Sequence, residues 1–104
     1  MHKEITIDVG KDFSRTPSGR FQSDGDSSAE AFFIHTLDGL LSDGYNVNLE
    51  FHNVLQAGST FLYHLSGLLV SYGWDNKVKV VKDDDFENTI IRWDKYMKEH
   101  RSKL

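Results

Sequence analysis

The chain has no cysteine. Disulfides, thiolate nucleophiles and cysteine-based zinc sites are therefore excluded. It has one proline, Pro17, so breaks between regular elements fall mostly to glycine and small polar residues. No window approaches the roughly 18 consecutive apolar residues that cross a bilayer. The first residues, Met1-His2-Lys3-Glu4-Ile5, lack the apolar run of a secretory leader. Basic excess is missing as well: 16 acidic residues face 12 basic ones, for a net charge of −4. A phosphate-backbone binder concentrates positive charge on one face, so nucleic acid is not the expected partner. These absences point to a cytoplasmic protein without a membrane partner.

What is present suffices for a fold. Hydrophobic residues make up 38% of the chain and aromatics 12%, which argues against wholesale disorder. A chain of 104 residues is expected to form one domain, spanning 1–104. No internal repeat or low-complexity tract occurs.

Glu4 to Val9 alternates polar and apolar, which predicts a half-buried strand with Ile5, Ile7 and Val9 inward. Residues 12–28 are irregular and contain the proline. A short second strand over Gly19 to Gln22 would pair with the first as a loose hairpin. A loop this long in a small domain is either functional or mobile. Ser27 or Ser28 then caps a helix with Glu30 in its first turn. Ala29, Phe32, Phe33, Leu37, Leu40 and Leu41 form its apolar stripe, and Gly44 ends it. Val47 to Val54 alternates as a strand. Phe61, Leu62, Leu65, Leu68, Leu69 and Tyr72 give a second helical stripe. Lys77 to Lys82 reads as another strand. Residues 83–104 read as a C-terminal helix opened by Asp83-Asp84-Asp85, with Phe86, Ile90, Trp93 and Met97 on its apolar side. Lys95, Lys98, His100, Arg101 and Lys103 crowd its end, matching the helix dipole.

The element order is β(β)αβαβα. Alternation of strands and helices implies a largely parallel sheet with right-handed crossovers. The strands alternate rather than run continuously apolar, so one sheet face is expected to be wet. The predicted fold is a two-layer α/β domain. It has a mostly parallel or mixed sheet of about four strands, with about three helices on one face.

The stretch Leu55-Gln56-Ala57-Gly58-Ser59-Thr60-Phe61 joins strand to helix at the centre of this pattern. Ser59 or Thr60 is expected to cap the helix. A helix N-terminus also offers N–H groups and a positive dipole end to an anion. A hydroxyl placed there accepts a phosphoryl group at little electrostatic cost. The turn lies beyond the carboxyl end of a strand, where open α/β sheets bind their partners. Gly58 lets a ligand or another backbone approach closely.

The five histidines show no close-paired metal spacing. His52 and His64 flank the turn and could meet across it. A Ser59 nucleophile with a His64 base is a remote enzymatic alternative, since no G-x-S-x-G elbow is present. Asp24-Gly25-Asp26 matches a fragment of a calcium loop without the remaining ligands, so a turn is the better reading. No catalytic residue, metal site or cofactor is expected. Arg15 and Arg20 lie in the irregular loop, where a guanidinium binds either an anionic ligand or a neighbouring carboxylate. The main alternative to a protein-binding role is therefore a small anion- or nucleotide-binding domain. It would use the Gly58 to Thr60 helix N-terminus and Arg20.

Asp12-Phe13-Ser14, Gly19-Arg20, Asp24-Gly25, Ser28-Ala29-Glu30 with Phe32, Gly58-Ser59-Thr60-Phe61-Leu62 and Gly67-Leu68-Leu69 occur in this order. Together they resemble the STAS-like domain family of unknown function, over about residues 5–70. Ala29 stands where that family commonly has glycine, Thr60 where it has serine, and His64 where it has an acid. The resemblance implies a STAS fold like that of anti-sigma-factor antagonists. In those, a serine at a strand-to-helix turn is phosphorylated by a histidine-kinase-like ATPase, and the phosphate releases the partner. It implies Ser59 or Thr60 as the switch. It implies Asp12, Phe13, Ser14, Gly19, Arg20, Asp24, Gly25, Gly58 and Phe61 as the partner- or ligand-binding surface. The STAS motif has an aspartate before its serine, whereas Gly58 precedes Ser59 here. The expected state is a monomer or weak homodimer.

Overall fold

A computed structural model describes residues 3–82 and 88–104. Three strands, β1 (Lys3–Asp8), β2 (Tyr45–Glu50) and β3 (Val78–Lys82), form one sheet in the order β1-β2-β3. Both pairings are parallel. Ile7 stands beside Leu49, and Leu49 beside Val80. Parallel neighbours need a crossover, and helices supply both. The first is α2 (Ala29–Phe32), a π segment (Phe33–Leu37) and α3 (Asp38–Ser42), in series. The second is α4 (Ser59–Ser71). A further helix, α5 (Thr89–Ser102), packs beside α4 and over β3.

The alternation of the strands decides the layers. Ile7, Val47, Leu49 and Val78 are buried in one cluster with Phe32, Leu37, Phe61, Leu65, Leu69, Trp93 and Met97. The intervening residues Glu4, Thr6 and Lys79 are exposed, and Asn46 and Asn48 are half-buried. On that polar face Asn48 Nδ2 donates to Glu4 Oε1 across the strands at 2.9 Å. The sheet thus has one apolar face under the helices and one polar face.

The sheet has three strands among the described residues, not about four. The segment expected to pair as a second strand turns instead through a 3-10 helix, Gln22–Asp24. The Asp24 carboxylate accepts the N–H groups of Arg20 and Phe21, each at 3.0 Å. Those donors are thereby withheld from a strand ladder. Gly19 (φ +91°) and Gly25 (φ +128°) supply the left-handed corners.

Other boundaries shift for local reasons. β1 ends at Asp8 because its carboxylate accepts the Lys11 N–H at 3.0 Å and starts a one-turn helix, α1 (Val9–Asp12). β2 ends at Glu50, not Val54. Phe51 N–H still reaches the Lys82 carbonyl, and Val54 N–H then closes a turn onto Phe51. Ser28 caps α2 as expected, accepting the Ala31 N–H at 3.2 Å. Tyr72 is not in the core: it is 60% exposed, its ring lying against Phe33 and Trp74. The expected helix start at Asp83-Asp84-Asp85 and the core role of Phe86 lie outside the described residues.

Candidate functional site

The central turn and the irregular loop are stitched together by backbone hydrogen bonds. Leu55 N–H donates to the Arg15 carbonyl (2.7 Å), and Gly58 N–H to the Pro17 carbonyl (2.9 Å). Behind them Phe13 lies 4.7 Å from Phe32 and 6.1 Å from Phe61, measured between ring centres. Ser14 Oγ accepts from Ser27 Oγ (3.0 Å) and from Thr16 N–H (3.1 Å). Asp12 accepts the Asp8 N–H at 3.3 Å. Asp12, Phe13, Ser14, Gly19 and Asp24 therefore shape the loop, and Phe61 is fully buried beneath it. A depression of about 200 Å³ lies beside the turn, lined by Thr16, Pro17, Ser18, Gln56 and Gly58.

The N-terminus of α4 departs from expectation. Gly58, not Ser59 or Thr60, is the N-cap, and no side chain caps this end among the described residues. Gly58 is already extended (φ −64°, ψ 141°), and its carbonyl accepts the Leu62 N–H at 3.1 Å. Ser59 and Thr60 consequently fall in the first turn, where both are exposed. A side chain in the first turn is past the position from which a cap hydroxyl reaches back to N–H groups.

Arg92 of α5 reaches this turn. Its Nη1 donates to the Ala57 carbonyl (3.1 Å) and lies 3.5 Å from Ser59 Oγ. Its Nη2 lies 3.4 Å from Thr89 Oγ1. Nothing local in the sequence signals this. Ser59 and Arg92 are 33 residues apart, and only the packing of α5 against α4 joins them.

Arg20 is placed elsewhere, in the field of Asp24 and His64. The Phe21 and Arg20 N–H groups hold the Asp24 carboxyl below its usual range. His64 does not meet His52 or Ser59. Phe21 packs edge-on against its ring at 5.0 Å, and Nε2 is buried without a hydrogen-bond partner among the described residues. Burial pushes the His64 imidazole below its ordinary value, helped by Arg20 and His100 and opposed by Glu30 and Asp24. A Ser59–His64 nucleophile–base pair is therefore not formed.

The basic C-terminal end folds back on the body. His100 Nε2 is 2.8 Å from the Tyr63 carbonyl, Arg101 Nε pairs with Asp75 Oδ2 (2.6 Å), and Lys103 Nζ donates to the Tyr63 hydroxyl (2.9 Å). The Tyr63 hydroxyl raises the Lys103 ammonium above its ordinary value. No described helix is long and apolar enough to cross a membrane.

Comparison with protein-family models, with curated proteins and with solved structures finds no significant match to this chain.

Proposed function

We propose that this chain is a non-enzymatic, STAS-like regulatory module that binds a protein partner and is switched by phosphorylation of Ser59. The observation that carries this reading is the exposed Ser59 hydroxyl in the first turn of α4, 3.5 Å from the Arg92 guanidinium. A phosphoserine carries a charge of about −1.5 to −2 and three acceptor oxygens. In the first turn of a 13-residue helix it meets the positive dipole end. A guanidinium alongside adds charge-assisted hydrogen bonds. Thr60 is exposed as well, but Arg92 approaches Ser59, which favours Ser59 as the acceptor. The partner implied by the STAS-like resemblance is a histidine-kinase-like ATPase.

The test uses three forms of the full chain as bait against host lysate: unmodified, Ser59→Ala and phosphoserine-59. The ATPase should be retained by the first two and lost from the third. Equal retention by all three sinks the switch.

A second reading keeps the same geometry and makes the anion a free ligand. The anion would sit at the first turn of α4 beside the Arg92 guanidinium, which suits a small inorganic anion. A saturable rise in melting temperature with phosphate, lost in Arg92→Ala, supports this reading.

A further inference from the structure

A second constellation lies at the carboxyl ends of the strands. Asp8 ends β1, Glu50 ends β2, and parallel pairing sets the two in register. Two carboxylates side by side disfavour each other's ionisation unless a positive group or a donor sits between them. His52, two residues beyond Glu50, stands between them with one ring nitrogen toward each. Its Nε2 lies 3.7 Å from Asp8 Oδ2, and its Nδ1 lies 3.7 Å from Glu50 Oε1. One donor atom from each of the three residues lies within 4.8 Å of the others.

These spacings are longer than hydrogen bonds. They are also made by different ring nitrogens, of which an ion takes one, so the set with one donor atom per residue spans up to 4.8 Å, against the roughly 3.0–3.4 Å between neighbouring ligands on an ion bound at about 2.1 Å. Turning the exposed His52 ring so that one nitrogen faces both carboxylates would close the difference. The carboxylates are also anchored in a telling way. Asp8 Oδ1 is held by the Lys11 N–H, which leaves Oδ2 toward His52. Glu50 Oε2 faces Lys82 Nζ at 3.7 Å, which leaves Oε1 toward His52. One oxygen fixed by the protein and one turned inward is how outer contacts orient metal ligands. The side chains of Asp8 and Glu50 are only 18% and 19% exposed, while His52 is 38% exposed and leaves an entry path.

Asn53 completes the group. Its amide nitrogen donates to Asp8 Oδ2 and stands 3.2 Å from His52 Nε2. A donor thus occupies the place between the two acceptors that a cation would take. Turning the amide by half a rotation would present Oδ1 there as a further ligand.

We propose that Asp8, Glu50 and His52 bind a first-row divalent cation such as Mn2+ or Zn2+. The imidazole is what selects the class, because Ca2+ and Mg2+ prefer all-oxygen shells. The site is separate from Ser59, and it does not depend on the switch.

The test is isothermal titration of the chelator-treated full chain with MnCl2 and with ZnCl2. Saturable binding of one ion per chain is expected from at least one of them. His52→Ala should weaken it by at least about tenfold. His35→Ala, at an exposed histidine elsewhere, should leave it unchanged. His52 is surface-accessible, so its removal is compatible with folding, which far-UV circular dichroism checks. Absence of saturable binding by the unmodified chain, or wild-type affinity in His52→Ala, overturns the proposal.

Discussion

A methyl group on Gly10 would fall 2.3 Å from the Asn53 carbonyl oxygen. Real side chains do not approach a backbone so closely, so the exits of β1 and β2 touch only because this residue is glycine. Gly10→Ala should destabilise the fold by about 1–3 kcal/mol or more, the usual range for overpacking, read from the midpoint of urea unfolding. Phe61 makes the complementary case. It is wholly buried against Phe13 and Phe32. Phe61→Ala should cost about 3–5 kcal/mol by lost transfer energy and the cavity left behind, measured in the same way. His64 links the core to pH. Burial lowers its folded-state value, so below the ordinary value of 6.5 the unfolded chain takes up a proton that the folded chain resists. The contribution of neutral His64 is complete above that value and is lost as pH falls below it. The melting temperature should therefore drop further between about pH 7 and about pH 5.5 in the wild type than in His64→Gln. Equal drops would remove His64 from the account.

At the scale of elements, alternation and helical stripes were legible wherever local chemistry decided the outcome. Ile7, Val47, Leu49 and Val78 could be assigned inward from period two alone, and the stripe from Ala29 to Leu41 from helical spacing. The cap at Ser28 was legible too. Where a side chain competed with the ladder, the pattern misled. Asp24 captured two N–H groups and removed the expected second strand. At α4 the sequence offered two hydroxyls as caps, but the backbone bond from Gly58 to Pro17 places the helix start one residue earlier. The two serines should therefore respond differently to substitution. Ser28→Ala should cost about 1 kcal/mol as a lost cap, whereas Ser59→Ala should leave thermal stability nearly unchanged. A similar loss at both positions would contradict the assignment of Gly58 as the cap.

For the whole molecule, the two-layer parallel architecture followed from element order and from the wet face of the strands. Which residues meet at the carboxyl edge did not. Asp8, Glu50 and His52 come together through strand register, and Arg92 meets Ser59 through helix packing. Neither is encoded in a local motif. At the end of α5, His100, Arg101 and Lys103 are tied back to Tyr63 and Asp75. The central claim is that Ser59 is a phosphoacceptor held beside Arg92. Its most direct measurement is phosphosite mapping of the protein isolated from its own cells under several growth conditions. The account predicts phosphate on Ser59, in preference to Thr60, in at least one condition. Phosphate on neither residue in every condition would contradict it.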